Sequence, residues 1–311
     1  MIKPYKYSAN ILGDLRGEVD ISMLDNAFYE TPDYRTLIES VERTLIVGRR
    51  GSGKSALFYR LSKFWGAAKD TKVVQILPDE DQVIGIRPIL KIFGDKFNLI
   101  RAGTRITWRY AIYMEIANLL DKHYKSRSVE NYELLTEHLK RWRQNKASVT
   151  SNIRNILKQI VNTRHSPEEC IAELSTELHT DTIQKVISDA LELTGFKFVI
   201  LIDQLDEGYE PDNVGVGFID GLVQATIDIK TRLNNVRPTL FLRDNIFRTV
   251  AQLDPDYSRT IEGHVIRLHW DEQQLFYLVC NRLRFAFKLE IENNLKTWNR
   301  CVSNELQGMD G

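Results

Sequence analysis

The sequence has few cysteines and no hydrophobic segment of membrane-spanning length. Its 311 residues contain three cysteines, Cys170, Cys280 and Cys301, without C-x-x-C spacing, so we expect neither a disulfide framework nor a cysteine zinc site. The N-terminus lacks the apolar core of a secretory signal. The longest apolar run, FKFVILI, has the length of a buried strand and falls short of the roughly 18 residues that a membrane span needs. We therefore expect a soluble, cytoplasmic protein that does not bind membranes.

Catalytic motifs that depend on histidine or on a nucleophilic serine are also missing. The six histidines include no H-E-x-x-H pair, and the chain has no G-x-S-x-G elbow. His138 stands at helical spacing among Leu135, Leu139 and Trp142, which favours a histidine packed in a core over a metal ligand. Metalloprotease and serine-hydrolase chemistry are therefore not expected.

The chain has no net charge, since 42 Lys and Arg balance 42 Asp and Glu, and this excludes a uniformly basic surface. The charges are nevertheless unevenly spread. Residues 101–165 carry 13 Lys and Arg against 5 Asp and Glu, whereas residues 166–210 carry 2 against 11. The basic block contains Trp108, Trp142, Arg141 and Arg143. This content fits either core packing with a solvated basic face, which is favoured, or binding of DNA or RNA.

Hydrophobic periodicity predicts an α/β fold. Short apolar runs without alternation occur at 44–47, 73–76, 198–202, 239–242 and 265–268, and they are typical of strands covered on both faces of a parallel sheet. From about residue 105 to 195, apolar residues recur at helical spacing only. We predict a P-loop core with a mostly parallel five-stranded sheet, a large all-helical insertion between the second and third strands, and a partial helical lid. The predicted segments are 1–100 and 196–269 for the core, 101–195 for the insertion and 270–311 for the lid, which ends as if cut from a longer chain.

The strongest motif is a glycine-rich phosphate loop. The first predicted strand leads into GRRGSGKS at 48–55 and then into a helical pattern, which is the strand–loop–helix context of G-x-x-x-x-G-K-S. Glycines allow the backbone N–H groups to point inward, and the start of the helix adds partial positive charge. Lys54 is predicted to bridge the β- and γ-phosphates of ATP, and Ser55 to ligate Mg²⁺. The predicted nucleotide-binding residues are Gly48, Arg49, Arg50, Gly51, Ser52, Gly53, Lys54, Ser55 and Ala56.

A carboxylate follows the third predicted strand. Asp203 stands at the carboxyl end of that strand, where ligands bind in open α/β sheets, and it is predicted to hold Mg²⁺ through water. Taken alone, it would be an ordinary capping carboxylate, but beside a phosphate loop the metal role is favoured. Asp206 or Glu207 is expected to orient and deprotonate the attacking water. Spacing does not decide between these two acids, and Asp206 is preferred.

These segments resemble P-loop ATPases of the AAA+ and STAND groups, and most specifically the prokaryotic ATPases related to the origin-recognition-complex family. The similarity lies in LIVGRRGSGKSALF at 45–58, FVILIDQLDEGY at 198–209, TLFLRDNIF at 239–247 and IRLHWDEQQL at 266–275. It covers most of the chain outside the helical block. The sequence departs from the AAA+ pattern at Gln204, where the family usually has a second acid directly after the aspartate. Turnover is therefore expected to be slow, and the identity of the base stays open.

The resemblance also implies roles for several arginines. Family members place a sensor strand between the P-loop strand and the acidic strand, and Arg243 and Asn245 at its end are candidates to contact the γ-phosphate. Arg259 stands where relatives carry an arginine finger that reaches a neighbouring subunit's nucleotide, although a surface arginine is the commoner case. Arg282 and Arg284 on the lid are weaker candidates for nucleotide contact.

The segment before the phosphate loop would lie near adenine in such relatives. It includes Ala27, Phe28, Tyr29 and the run 31–34. For Tyr29 and Tyr34, packing in the core is favoured over contact with the base.

These features predict an ATPase that acts as a nucleotide-driven switch, with ATP and Mg²⁺ as its ligands. Hydrolysis would be coupled to a protein partner or to homo-oligomer assembly through the helical insertion, and relatives of this kind occur in prokaryotic defence. Two alternatives stay open. One is a nucleotide-gated protein that binds DNA or RNA through the block 101–165. The other is a signalling protein that binds ATP without hydrolysing it.

Overall fold

The computed structural model describes residues 11–14, 17, 19–40, 42–144, 148–160, 166–205, 208–253, 261–290 and 293–301. Asp206, Glu207 and Arg259, three of the predicted functional residues, lie outside these ranges. The chain forms two units. One, here called the sheet unit, comprises Val41–Arg49 and Ser62–Arg267. The other, here called the lid unit, comprises Met1–Ser40, Arg50–Leu61 and Leu268–Gly311.

The sheet unit contains a five-stranded sheet in the order β2-β3-β4-β1-β5. The strands are β1 Leu45–Gly48, β2 Thr71–Ile76, β3 Lys197–Ile202, β4 Val236–Arg243 and β5 Val265–Leu268. The β2–β3, β3–β4 and β4–β1 pairings are all parallel. All four residues of β1 are buried, as are all residues of β3 except the first. The prediction of an α/β fold with a parallel five-stranded sheet is confirmed, and β4 lies between β1 and β3.

Helices make up most of the remaining described structure. They are α1 Ile21–Asn26, α2 Pro32–Glu39, α3 Lys54–Gly66, α4 Glu80–Leu90, α5 Phe97–Leu120, α6 Tyr132–Arg143, α7 Val149–Ile160, α8 Pro167–Glu177, α9 Thr180–Thr194, α10 Asn213–Arg232, α11 Asp244–Leu253, α12 Glu272–Phe287 and α13 Asn294–Cys301. Short 3₁₀ turns lie at Lys91–Phe93, Tyr124–Ser128 and Glu262–His264. Between β2 and β3 the described residues contain helices and 3₁₀ turns but no strand, as predicted. None of the helices described has the length and apolar character of a membrane span.

The cap that was predicted at Asp271, at the start of α12, is confirmed. The side chain of Asp271 accepts a hydrogen bond of 2.7 Å from the N–H of Gln274, which satisfies one of the donors that the first turn of α12 leaves outside the helix. At the other end of α12, Lys288 takes a left-handed conformation with φ 51° and ends the helix.

Helices α5 and α10 of the sheet unit approach each other closely at two glycines of α10. A Cβ atom added at Gly217 would lie 2.9 Å from the side chain of Ile100, and one at Gly221 would lie 2.0 Å from Thr104 Oγ1. The Thr104 hydroxyl donates a 2.9 Å hydrogen bond to the Gly217 carbonyl. Because the Gly-x-x-x-Gly spacing puts both glycines on one helix face, α5 packs directly against the α10 backbone.

The aromatic and histidine content of the basic block lies mostly in the core. Trp108 and Trp142 are 0% and 3% exposed, and His138 is 3% exposed. His138 Nδ1 is 3.0 Å from the hydroxyl of Tyr110. Burial lowers the pKa of His138 to about 4, and His179 and Arg141 act in the same direction. The interpretation of His138 as a packed histidine is confirmed, and the two tryptophans are core residues.

Candidate functional site

The glycine motif forms a loop between a buried strand and a helix. β1 ends at Gly48 and α3 begins at Lys54, so the predicted strand–loop–helix order is present. Gly51 and Gly53 have φ values of 79° and 91°, in the left-handed region that glycine adopts without strain. Left-handed residues turn the chain sharply, and this is how the chain passes from the strand into the helix within five residues.

The start of α3 presents backbone donors. Its first helical hydrogen bond runs from the Leu57 N–H to the Gly53 carbonyl at 2.9 Å, so the N–H groups before Leu57 lie outside the helix's own hydrogen-bond ladder. Ser55 and Ala56 are half-buried. A Cβ at Gly17 would lie 3.0 Å from the Ala56 nitrogen, so a short part of the N-terminal segment runs directly over this turn. A helix start whose N–H groups lie outside the helical hydrogen-bond ladder attracts anions.

Two polar atoms of the loop have no partner among the described residues. Ser52 Oγ is buried and makes no hydrogen bond there, and the Gly53 N–H donates none. A buried polar atom such as Ser52 Oγ is nearly always paired with protein, water or a ligand. Together with the left-handed glycines, these atoms fit the donor set that a phosphate group requires.

An aromatic group of the lid unit lies against this loop. The indole Nε1–H of Trp270 donates a 3.0 Å hydrogen bond to the Ser52 carbonyl, and its ring would be 3.7 Å from a Cβ at Gly53. The Tyr29 ring lies 6.5 Å from that of Trp270 and 5.9 Å from that of Tyr277. The sequence analysis assigned no role to Trp270, although this residue lies in the segment 266–275 that resembles the ATPase family and directly precedes the Asp271 cap.

The two tyrosines before the phosphate loop differ in their surroundings. Tyr34 is 1% exposed and its ring packs edge-on against Phe28 at 5.0 Å, so its interpretation as a core aromatic is confirmed. The guanidinium group of Arg60 lies 4.9 Å from the centre of the Phe28 ring. Tyr29 is only half-buried and belongs to the Trp270 group.

The sheet unit brings three predicted residues, Gly48, Asp203 and Arg243, to one edge of its sheet. Gly48 is the register partner of Arg243. Asp203 directly follows Ile202, which is the register partner of Leu240 on the same strand as Arg243. Because the strands are parallel, their carboxyl ends meet at this edge, which is where α/β folds bind ligands. Asn245 lies in the first turn of α11 and is exposed.

Asp203 is held in place by backbone contacts. It is 7% exposed, its N–H donates to the Ile76 carbonyl at 3.1 Å, and its Oδ1 accepts a 2.8 Å hydrogen bond from the Gln204 N–H. Gln204 has a φ of 66°, so the chain turns sharply directly after the strand. The carboxylate is therefore fixed at the strand end.

The segment after Asp206 and Glu207 is attached to α4. A Cβ at Gly208 would lie 3.0 Å from the Glu80 carbonyl, and Arg87 forms ion pairs with Asp212 at 2.6 Å and Glu210 at 3.0 Å. Burial raises the pKa of Asp212, but hydrogen bonds from the Gly215 N–H and from Arg87 outweigh it, so this pKa lies below its usual value. The chain that follows the two candidate bases is thus anchored by charge and by close packing.

The lid arginines make contacts within their own unit. Arg282 pairs with the buried carboxylate of Asp20 at 2.9 Å and also donates to the Leu12 carbonyl. Arg284 donates a 2.7 Å hydrogen bond to the side chain of Asn294. Both guanidinium groups are therefore engaged in packing the lid unit.

In the described ranges, no three or more His, Cys, Asp or Glu side chains gather as a metal site. The predicted magnesium ligands are Ser55 of the lid unit and Asp203 of the sheet unit, and each side chain carries oxygen, which is the ligand atom that Mg²⁺ prefers.

The fold and this loop define an α/β protein with a parallel five-stranded sheet and a strand–glycine loop–helix junction. The chain is 47% identical over 304 residues to the "Putative transposon gamma-delta 80.3 kDa protein" of Escherichia coli strain K12, a match that covers 97% of this chain and 43% of that protein. Over 71 residues, or 23% of this chain, it is 54% identical to "Allergen Alt a 2" of Alternaria alternata, of which 37% is covered. Each match thus covers less than half the length of the relative. No family model matches it, and no solved structure matches it.

Proposed function

We propose that this chain belongs to a P-loop ATPase that binds ATP with Mg²⁺ and hydrolyses it as a conformational switch. The observation that carries the proposal is the loop 48–55, in which left-handed glycines, a helix start and two polar atoms without described partners form a donor set suited to phosphate. The motif adds a lysine and a serine in the order that nucleotide phosphates and magnesium require.

In this proposal each group of residues has a separate role in binding or hydrolysing ATP. Backbone N–H groups of the loop and Lys54 bind and orient the phosphates, and Arg243 senses the terminal one. Mg²⁺, when bound by Ser55 and Asp203, would neutralise charge on the phosphates. Asp206 or Glu207 would take the proton from the attacking water. The helical insertion 101–195 is the proposed surface for a protein partner or for self-assembly. Proteins that share a fold differ in function, and an inserted segment is a place where such a difference can arise.

Replacing Lys54 with alanine is expected to weaken ATP binding at least about tenfold, since the charge that faces the phosphates is lost. Calorimetry with ATP and Mg²⁺ measures this directly. Lys63→Ala is the matched control because Lys63 is an exposed lysine in the last turn of the same helix. If parent and Lys54→Ala take up ATP equally, or if neither takes it up, the proposal is wrong.

We propose binding of single-stranded nucleic acid as a second candidate function, on the basis of one exposed aromatic residue. Tyr124 is 75% exposed, and its ring stacks on His123 at 5.1 Å, with Phe196 next in the row at 5.2 Å from His123. Lys72 lies 4.7 Å over the Phe196 ring, and the exposed cations near Tyr124 in the chain are Lys122, Lys125 and Arg127. Aromatic stacking beside cations is how proteins bind single strands. The name of the first relative associates that protein with a transposon, which makes oligonucleotides a reasonable probe.

Tyr124→Ala is expected to lower the affinity for a single-stranded oligonucleotide by about tenfold, whereas Tyr124→Phe keeps the ring and the affinity. Fluorescence anisotropy at low and moderate salt measures both the loss and the salt dependence, which should be steep for phosphate contacts. Equal binding by the alanine variant, or absence of salt-sensitive binding by the parent, would rule out this candidate.

A further inference from the structure

The contact between Trp270 and the glycine loop has a geometric consequence for the Ser52–Gly53 peptide. The structure contains no cis peptide bond among the residues described, and in a trans peptide the carbonyl and the following N–H point in opposite directions. The Ser52 carbonyl faces Trp270, with 3.0 Å between it and the indole nitrogen. The Gly53 N–H therefore faces away from Trp270, and it donates no hydrogen bond to another described residue.

The orientation of this peptide decides whether the loop attracts or repels an anion. With the Ser52 carbonyl turned toward Trp270, the Gly53 N–H has no described acceptor, and the buried Ser52 hydroxyl of the preceding residue has no described partner either. After a flip of the peptide, a carbonyl oxygen would take the place of the donor and repel phosphate. Gly53, with φ 91° and no side chain, has more conformational freedom than other residues, so the loop itself restrains the peptide weakly.

We infer that Trp270 is a positioning residue of the phosphate loop, which holds the Ser52–Gly53 peptide so that its N–H faces the phosphates of the bound nucleotide. The inference rests on the proposed ATP binding and adds a residue outside the glycine motif to it. Trp270 directly precedes Asp271, the cap of α12. Its ring also lies 6.5 Å from that of Tyr29. The hydrogen bond therefore connects the phosphate loop to the first turn of the lid helix.

A substitution can remove the indole N–H donor and still leave an aromatic side chain at this position. Trp270→Phe leaves an aromatic ring against Gly53 but has no donor for the Ser52 carbonyl. We expect ATP and ADP to bind this variant about tenfold more weakly than the parent, as for the loss of one preorganising hydrogen bond. Adenosine, which has no phosphate, should bind both proteins alike. Calorimetry with the three ligands gives the dissociation constants, and thermal unfolding verifies that the variant is folded.

Trp298→Phe is the matched control. Trp298 belongs to the same unit and its ring packs against Phe276 at 5.6 Å, so this substitution also removes an indole from the lid unit. It should leave all three affinities unchanged. Should Trp270→Phe fail to fold, Trp270→Tyr is the second replacement. The exchange rate of the Trp270 indole proton in the parent is an independent measurement, and ATP should slow it.

The outcomes separate this inference from the function on which it depends. A parent that binds ATP together with a Trp270→Phe variant of equal affinity overturns the role of Trp270 and leaves ATP binding intact. Weakening of ATP and adenosine to the same extent also overturns it, because Trp270 would then act on the base or on stability alone. A parent that binds no ATP overturns both proposals. If Trp270→Phe lowers the affinity for ATP and ADP but not for adenosine, the result supports both the role of Trp270 and the binding of ATP.

Discussion

Asp203→Asn is expected to reduce the rate of ATP hydrolysis by about 100-fold, while ATP binding in the absence of Mg²⁺ stays the same. Asparagine keeps the oxygen that accepts the 2.8 Å hydrogen bond from the Gln204 N–H, so the strand end should retain its conformation. What is lost is the negative charge that holds the hydrated metal ion. Removing an outer-shell contact to a metal ion typically lowers metal affinity or activity by 10- to about 100-fold. Phosphate release at several Mg²⁺ concentrations measures the effect, which excess Mg²⁺ should partly reverse.

Asp244→Asn is a suitable control for Asp203→Asn. Asp244 directly follows the neighbouring strand β4 and pairs with Arg248 at 2.9 Å, so the substitution also neutralises an acid at a strand end. A similar rate for parent and Asp203→Asn would mean that this carboxylate does not hold the metal. In the same assay, Asp206→Asn and Glu207→Gln identify the base, because only one of them should abolish turnover at saturating Mg²⁺.

Gly221→Leu is expected to destabilise the sheet unit by about 3 kcal/mol, the upper range for overpacking a core. A Cβ at this position would lie 2.0 Å from Thr104 Oγ1 and 2.9 Å from the backbone nitrogen of Arg105. The threonine rotamer can change, but the backbone of α5 cannot move without disturbing the bidentate pair between Arg105 and Asp228. Chemical denaturation gives the free energy of unfolding.

Gly66→Ala is the corresponding control. Gly66 lies at the end of α3, and a Cβ there would meet nothing within 4 Å, so alanine should be neutral or slightly stabilising through its helix propensity. If Gly221→Leu unfolds with the same free energy as the parent, then α5 and α10 do not pack as closely as described.

The sequence was sufficient to predict the elements that depend on local pattern. Buried strands appear as continuous apolar runs, and all five were found at the predicted places with ends shifted by up to three residues. The helical block between β2 and β3 was predicted from spacing alone, as was the Asp271 cap. Each of these features is encoded within a few consecutive residues, because strand burial, helix periodicity and capping are local properties of the chain.

Residues that act at a distance were not predictable in the same way. Trp270 contacts Ser52 across 218 positions, and Arg87 contacts Asp212 across 125. Trp270 lies in the segment 266–275 that resembles the ATPase family, but nothing in that segment indicates a contact with Ser52, and Arg87 belongs to no motif. Trp108 and Trp142, by contrast, were considered for nucleic acid and are buried in the core, whereas Tyr124 of the same basic block is 75% exposed.

The sequence by itself determined the α/β class, the strand–glycine loop–helix junction and the acidic residue at a strand end, because glycine spacing and apolar periodicity restrict the backbone locally. Only the tertiary structure decided the strand register that puts Gly48 opposite Arg243, the direction of the Ser52 carbonyl and the close approach of α5 to Gly221. These depend on which distant surfaces fit together, and packing is settled by the shapes of many side chains at once.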